Sequence, residues 1–257
     1  MIQIRDLRVR YGDRIVAHVP AFDLEGGKIA GIAGESGSGK SQTALALMGL
    51  SGYAGARITG SITLDGAELL TKSASQWRQI RGRRIAMIMQ SPRAALNPTL
   101  KLGKLFSRTL KLHGIARSEL DTRMRSALNE VVLSSDILER YPHQLSGGQA
   151  QRFAIALVSA LHADVVIADE PTSALDVTVQ AEVIEVLREL RDRHGTALLF
   201  ISHDLAVISE LADSVTIMKQ GEVVESGATA DVLGSPREDY TKALLAAVPV
   251  IGRRSAS

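Results

Sequence analysis

The stretch 29-IAGIAG-34 followed by 34-GESGSGKS-41 decides the fold. A short apolar run ends in a loop that fits G-x-x-x-x-G-K-[ST] in full, and a helix is predicted over 40–50. Strand, loop and helix in that order are the context the motif requires. With glycine near ~7% of residues, a chance match somewhere in the chain is on the order of one in a hundred. The backbone N–H groups of Gly34, Glu35, Ser36, Gly37, Ser38 and Gly39 would wrap the α- and β-phosphates of a nucleotide, helped by the helix dipole. Lys40 would reach the β- and γ-phosphates, Ser41 would ligate Mg²⁺, and Gln42 directly after them is counted with this binding set.

Working outward, 2-IQIRDLRV-9 alternates as a strand with one wet face, and 61-SITLDG-66 reads as another. The runs 84-RIAMIMQ-90, 165-VVIAD-169 and 197-ALLFIS-202 are continuously apolar and alternate with helical segments. That pattern predicts an α/β domain whose parallel sheet is covered on both faces. From Ser91 to about Tyr141 prolines break the chain, and 101–114 and 119–133 show helical periodicity, as an inserted helical subdomain would. The segment 215–227 reads as a hairpin. The expected division is 1–90 and 153–235 as a core, 91–152 as the helical part, and 236–257 as a short tail that frays after Val248.

Composition narrows the function. The 257 residues carry a net charge of +2 and only 4% aromatics. Base stacking therefore has little material, and the charge implies no polyanion partner. There are no cysteines, so disulfides, thiolate metal sites and cysteine-ligated iron–sulfur clusters are excluded. The N-terminus lacks a signal-peptide apolar block, and no apolar run approaches the ~20 residues of a membrane-spanning helix. Membrane association is expected only through a partner.

Further candidates lie at strand ends. In 169-DE-170, Asp169 stands where a phosphate loop's Mg²⁺ needs a negative charge, and Glu170, one residue on, could polarise an attacking water. Two solvated carboxylates would be the plain alternative. Gln90 and His203 also end predicted parallel strands and could face the same crevice; a strand-end amide and a helix-capping histidine are the competing readings. Tyr11 could stack on a purine or simply be an exposed tyrosine. The run 78-RQIRGRR-84 reads as a solvated face, and the six histidines show no metal-ligand spacing. A second glycine-rich helix start, 145-LSGGQ-149, stands far along the chain from the first.

Together GESGSGKS, Gln90, LSGGQ, VVIADE, 173-SALD-176 and His203 resemble, in order and across nearly the whole chain, the ATP-binding cassette ATPases. LSGGQ is the most specific part. The resemblance implies a RecA-like phosphate-loop core with a mixed sheet, an N-terminal antiparallel β subdomain and an inserted helical subdomain, working with ATP and Mg²⁺. It further implies two nucleotide-binding domains packed head to tail, so that Ser146, Gly147, Gly148 and Gln149 of one face the ATP held by the other. By motif position Tyr11 would stack on adenine, and Gln90 would sense Mg²⁺ and contact a permease. Asp169 would hold the metal and Glu170 would be the catalytic glutamate. Asp176 would be an inter-subunit acid and His203 a switch at the γ-phosphate.

Within that family, 88-IMQSPRAALNPTL-100, 141-YPHQLSGGQAQR-152, 169-DEPTSALDVTVQ-180 and 240-YTKALLAAVP-249 are similar to the peptide/opine/nickel importers. There two different ATPases serve one transporter, which implies a heterodimer, two permease subunits, an extracytoplasmic binding protein and a site on the cytoplasmic face of the membrane. Longer peptide-type members continue into a cysteine-ligated region. Its absence here, with MQSPRA, leans toward nickel or metallophore cargo over peptides. A soluble cassette ATPase acting on nucleic acid or ribosomes is the competing reading. Such proteins carry coiled-coil insertions or a second cassette, neither of which is present.

Overall fold

The computed structural model describes residues 1–173 and 175–247. The strands are β1 (Ile2–Tyr11), β2 (Arg14–Leu24), β3 (Ile29–Ala33), β4 (Arg57–Leu64), β5 (Ala67–Glu68), β6 (Ile85–Ile88), β7 (Val165–Asp169), β8 (Ala197–Ser202), β9 (Ser214–Lys219) and β10 (Glu222–Ala228). The helices are α1 (Lys40–Leu47), α2 (Ala74–Ile80), α3 (Pro92–Ala95), α4 (Leu102–Leu112), α5 (Leu120–Glu130), α6 (Gly147–Ser159), α7 (Val177–His194), α8 (Leu205–Leu211), α9 (Thr229–Gly234) and α10 (Asp239–Ala246).

One mixed sheet runs β5-β4-β1-β2-β10-β9-β3-β8-β7-β6. Its β9-β3-β8-β7-β6 part is parallel, whereas β1 pairs antiparallel with both β2 and β4. The two parts meet at β10, which is antiparallel to β9 and joins β2 through the Glu222–His18 pair. This is the RecA-like core with an antiparallel arm that the motifs imply.

The apolar runs are buried on both faces because successive side chains serve two different cores. In β8, Leu198 and Phe200 enter the core shared with α4–α8, and Ala197, Leu199 and Ile201 enter the one under α1 and the antiparallel arm. β7 divides likewise, Val166 and Ala168 against Val165 and Ile167. α4 packs on α6 through Phe106 and Phe153, both fully buried and edge to face at 5.6 Å.

Several features were not visible in the sequence. Strand β2 lacks a clean alternation, and its ladder with β1 carries a bulge at Val9/Arg10. Gln90 lies two residues beyond β6 rather than on it. The arginine run is no simple solvated face. Arg81 donates to the carbonyls of Met48 and Gly49 at the end of α1, both at 2.8 Å, and Arg84 bridges Asp65 and Asp164. The expected tail contains α10, whose Tyr240, Leu244 and Leu245 pack against the larger core. The predicted fraying from Val248 lies outside the described residues.

Candidate functional site

β3 delivers the chain into the loop at Gly34, and two glycines give the loop its shape. Gly34 has φ +149°, and a Cβ there would lie 2.1 Å from the Met218 carbonyl oxygen. Gly39, at φ +103°, is the N-cap of α1, and a Cβ would lie 2.7 Å from the Val16 carbonyl oxygen. Both positions therefore exclude a side chain on conformation and on space. No side chain caps α1 and no acid occupies its first turn, so its leading N–H groups remain open to an anion.

Lys40 is only 3% exposed. Its ammonium donates to the carbonyls of Gly34 and Glu35, both at 2.8 Å, and makes no ion pair among the described residues. Burial pushes its pKa down, while the charges of Glu170, Asp169 and Glu35 pull it back up. A buried, unpaired cation in a cradle of open amides suits a polyphosphate in charge and in geometry.

The acidic pair at the end of β7 divides two ways. Asp169 is 7% exposed and accepts a hydrogen bond from the Ser41 hydroxyl at 3.1 Å. Burial raises its pKa, the adjacent Glu170 adds to the rise, and Ser41 and Lys40 oppose it. The backbone at Glu170 turns into the left-handed region, φ +46°, uncommon without glycine. Glu170 Oε2 accepts from Gln90 Nε2 at 2.9 Å and lies 3.4 Å from His203 Nδ1. The three strand-end candidates, from β6, β7 and β8, thus converge. His203 does not cap α8; Asp204 does, accepting from the Ala206 N–H.

Tyr11 donates to Gln42 Oε1 at 3.1 Å, joining the end of β1 to α1. One contact was not anticipated. The Glu35 N–H donates to the Tyr240 hydroxyl at 3.3 Å, bringing α10 to the loop. The sequence shows a tyrosine in 240–249 but not that the chain returns to β3.

LSGGQ lies apart from this constellation. Ser146 caps α6, its hydroxyl accepting from the Gln149 N–H while the Gln149 side chain accepts from the Ser146 N–H, each at 3.1 Å. Gly148 packs on Val179 of α7, where a Cβ would lie 2.6 Å from a methyl group. Asp176 is the N-cap of α7, accepting from the Val179 N–H at 3.0 Å. Two exposed helix starts therefore sit side by side. Among the described residues no hydrogen bond or ion pair joins them to the Gly34–Gln42 loop.

A nucleotide fits the loop on the observations above. For a divalent cation, Ser41 and Asp169 offer one hydroxyl and one carboxylate, and no group of three His, Cys, Asp or Glu forms a metal cage among the described residues. A hard cation taking its remaining oxygens from phosphate and water matches that set, which is how Mg²⁺ is usually bound.

Comparison with known proteins agrees. The glutathione import ATP-binding protein GsiA of Shigella dysenteriae is 43% identical over 241 residues, covering 90% of this chain and 39% of the relative. Its Escherichia coli K12 counterpart is 42% identical over the same length. The chain therefore spans about two fifths of these curated relatives. A solved ATP-binding subunit of an ABC transporter superposes with TM-score 0.78 at 25% identity, covering 95% of this chain and 98% of that one. A bacterial ABC transporter cassette solved as a dimer gives 0.77 at 25% identity, covering 89% and 99%. The family model described as ABC transporter matches residues 18–173, more than half the sequence, and the chain belongs to that family.

Proposed function

We propose that this chain binds and hydrolyses ATP as the nucleotide-binding subunit of an import complex. The observation that carries the reading is the division of labour at the end of β7. Asp169 is committed to Ser41, and Glu170 is committed to Gln90 and His203.

In this reading Lys40 and the amides at the start of α1 bind and orient the phosphates. Ser41, Asp169 and Gln90 would hold Mg²⁺, which when bound would neutralise charge on the transferring phosphoryl group. Glu170 accepts a proton from the attacking water, while Gln90 and His203 fix its carboxylate and His203 registers the γ-phosphate. Tyr11 stacks on the adenine with its hydroxyl pinned by Gln42. A second cassette supplies its own signature motif to this site, and Ser146, Gly147, Gly148, Gln149 and Asp176 of this chain complete the other. Residues 91–152 act as the helical signature subdomain on a core of 1–90 and 153–235.

Permease contact is supported beside Gln90. A groove of about 660 Å³ separates α3 and α4 from β6, lined by Met48, Met87, Met89, Leu96, Leu112 and Leu157. Met89 and Leu112 are 49% and 74% exposed there. No described helix is long and apolar enough to cross a membrane. In the importer reading, which the relatives support, the chain works as a peripheral subunit on the cytoplasmic face, with two permease subunits, a second ATPase subunit and an extracytoplasmic binding protein. For cargo, the names of the relatives favour a small peptide such as glutathione over the chelated nickel that the sequence leaned toward.

The test is reconstitution with the co-purifying membrane proteins. ATPase stimulation by binding protein loaded with glutathione or dipeptides, and none with chelated nickel, is expected; the reverse order refutes the peptide cargo. Glu170→Gln should keep nucleotide binding and lower turnover by about 10²–10⁴-fold. Turnover near wild type would remove Glu170 from its role.

A further inference from the structure

The catalytic reading assigns no role to the stretch 240-YTKALLAAVP-249. Its tyrosine nevertheless touches the loop at a sensitive place. The C=O of Gly34 and the N–H of Glu35 belong to one planar peptide unit. Its oxygen accepts from Lys40 Nζ at 2.8 Å, and its N–H donates to the Tyr240 hydroxyl at 3.3 Å. The plane is gripped at both ends. It follows Gly34, at φ +149°, where the lack of a side chain leaves the backbone free to rotate unless the peptide is held.

We propose that Tyr240 is a positioning residue for the phosphate loop, holding the Gly34–Glu35 peptide in the orientation that receives a nucleotide. When Lys40 turns from the Gly34 carbonyl toward a phosphate, the oxygen end of the plane is released. The phenol then remains as its restraint. The inference rests on reading Gly34–Ser41 as the nucleotide site.

Tyr240 is itself fixed from two directions. The Lys219 ammonium lies over its ring, 4.5 Å from the centroid, at the end of β9. Glu225 of β10 accepts from the N–H groups of Arg237 and Glu238, at 2.9 and 3.3 Å, and so anchors the approach to α10. Burial and then the Glu35 carboxylate push the phenol's pKa up, against the hydrogen bond from the Glu35 N–H. The group therefore stays a neutral hydroxyl.

The experiment compares Tyr240→Phe, Lys219→Met and Leu244→Ala in the full chain, by fluorescent-nucleotide titration, steady-state ATPase and thermal melting. Tyr240→Phe keeps the ring and loses the hydroxyl, so the ATP Kd and KM should rise about two- to tenfold, the worth of one hydrogen bond. Both kcat and Tm should be unchanged. Lys219→Met frees the ring and should shift Kd in the same direction by less. Leu244→Ala, which loosens α10 against the core without touching the loop, should lower Tm and leave Kd alone. Unchanged affinity in Tyr240→Phe overturns the inference, and so does an equal loss of affinity and Tm in Tyr240→Phe and Leu244→Ala. Wild-type chain that binds no nucleotide would instead overturn the function proposed for the loop.

Discussion

Two glycine-rich helix starts, Gly34–Ser41 and Leu145–Gln149, solve opposite problems. The first is walled in. Gly34 and Gly39 are squeezed against the backbone of Met218 and Val16, the lysine is buried, and the helix begins without a side-chain cap. The second caps itself through Ser146 and Gln149 and presents that start at the surface. An uncapped start leaves donors open to a ligand; a self-capped start is stable alone and free to meet a ligand that arrives on another molecule. The contrast teaches that one motif builds a pocket and the other builds an edge.

The comparison can be broken by exchanging consequences. Ser146→Arg puts bulk and charge at the edge but leaves the pocket intact. ATP affinity of the lone chain should be unchanged, while hydrolysis in the assembled complex falls by about 10²–10³-fold, as when donors to a developing anion are lost. Lost affinity in the lone chain would mean the two motifs share one pocket within one chain.

The two crowded glycines should respond differently. Gly34→Ala meets a carbonyl oxygen from a left-handed backbone and has no way to yield, so a stability loss on the order of 1–3 kcal/mol should accompany lost ATP binding. Gly148→Ala meets only a methyl of Val179, so its smaller loss should be recovered in the Gly148→Ala, Val179→Ala double variant. Thermal melting of both, with and without nucleotide, checks the distinction. Equal losses would erase it.

A subtler difference concerns charge. Burial raises Asp169's pKa, so falling pH protonates it before an ordinary carboxylate and removes the charge that Mg²⁺ needs. The Mg²⁺-dependent share of ATP affinity should fade on the acid side above the usual carboxylate range and be absent at every pH in Asp169→Asn. The nucleotide-free fold runs the other way. A native state that holds this proton more tightly than the unfolded chain loses stability from that group as pH rises through the raised value. Asp169→Asn should therefore melt no lower than wild type at neutral pH. A lower melting temperature, or a wild-type acid limb in the ordinary carboxylate range, would contradict the assignment.

Much of this was legible in the sequence. β3, β7 and β8 announced themselves because strands buried on both faces must be continuously apolar, and the phosphate loop because only glycine tolerates its backbone. What stayed hidden was tertiary. That Gln90 and His203 meet on Glu170 depends on strand order β8-β7-β6, which no local pattern states. Arg81 read as solvated because its carbonyl partners at Met48 and Gly49 are more than thirty residues away. Tyr240 depended on a helix returning to the first loop from the far end of the chain.

The central claim, a nucleotide held by one cassette and closed by another, has a direct test. The chain contains no cysteine, so Ser146→Cys introduces a unique thiol, read by its rate of maleimide labelling in a Glu170→Gln background. The account predicts that MgATP protects this thiol in the assembled complex, and that it labels equally fast with or without MgATP in a dilute, nucleotide-binding monomer. Full protection in the monomer, or none in the assembly, would contradict it.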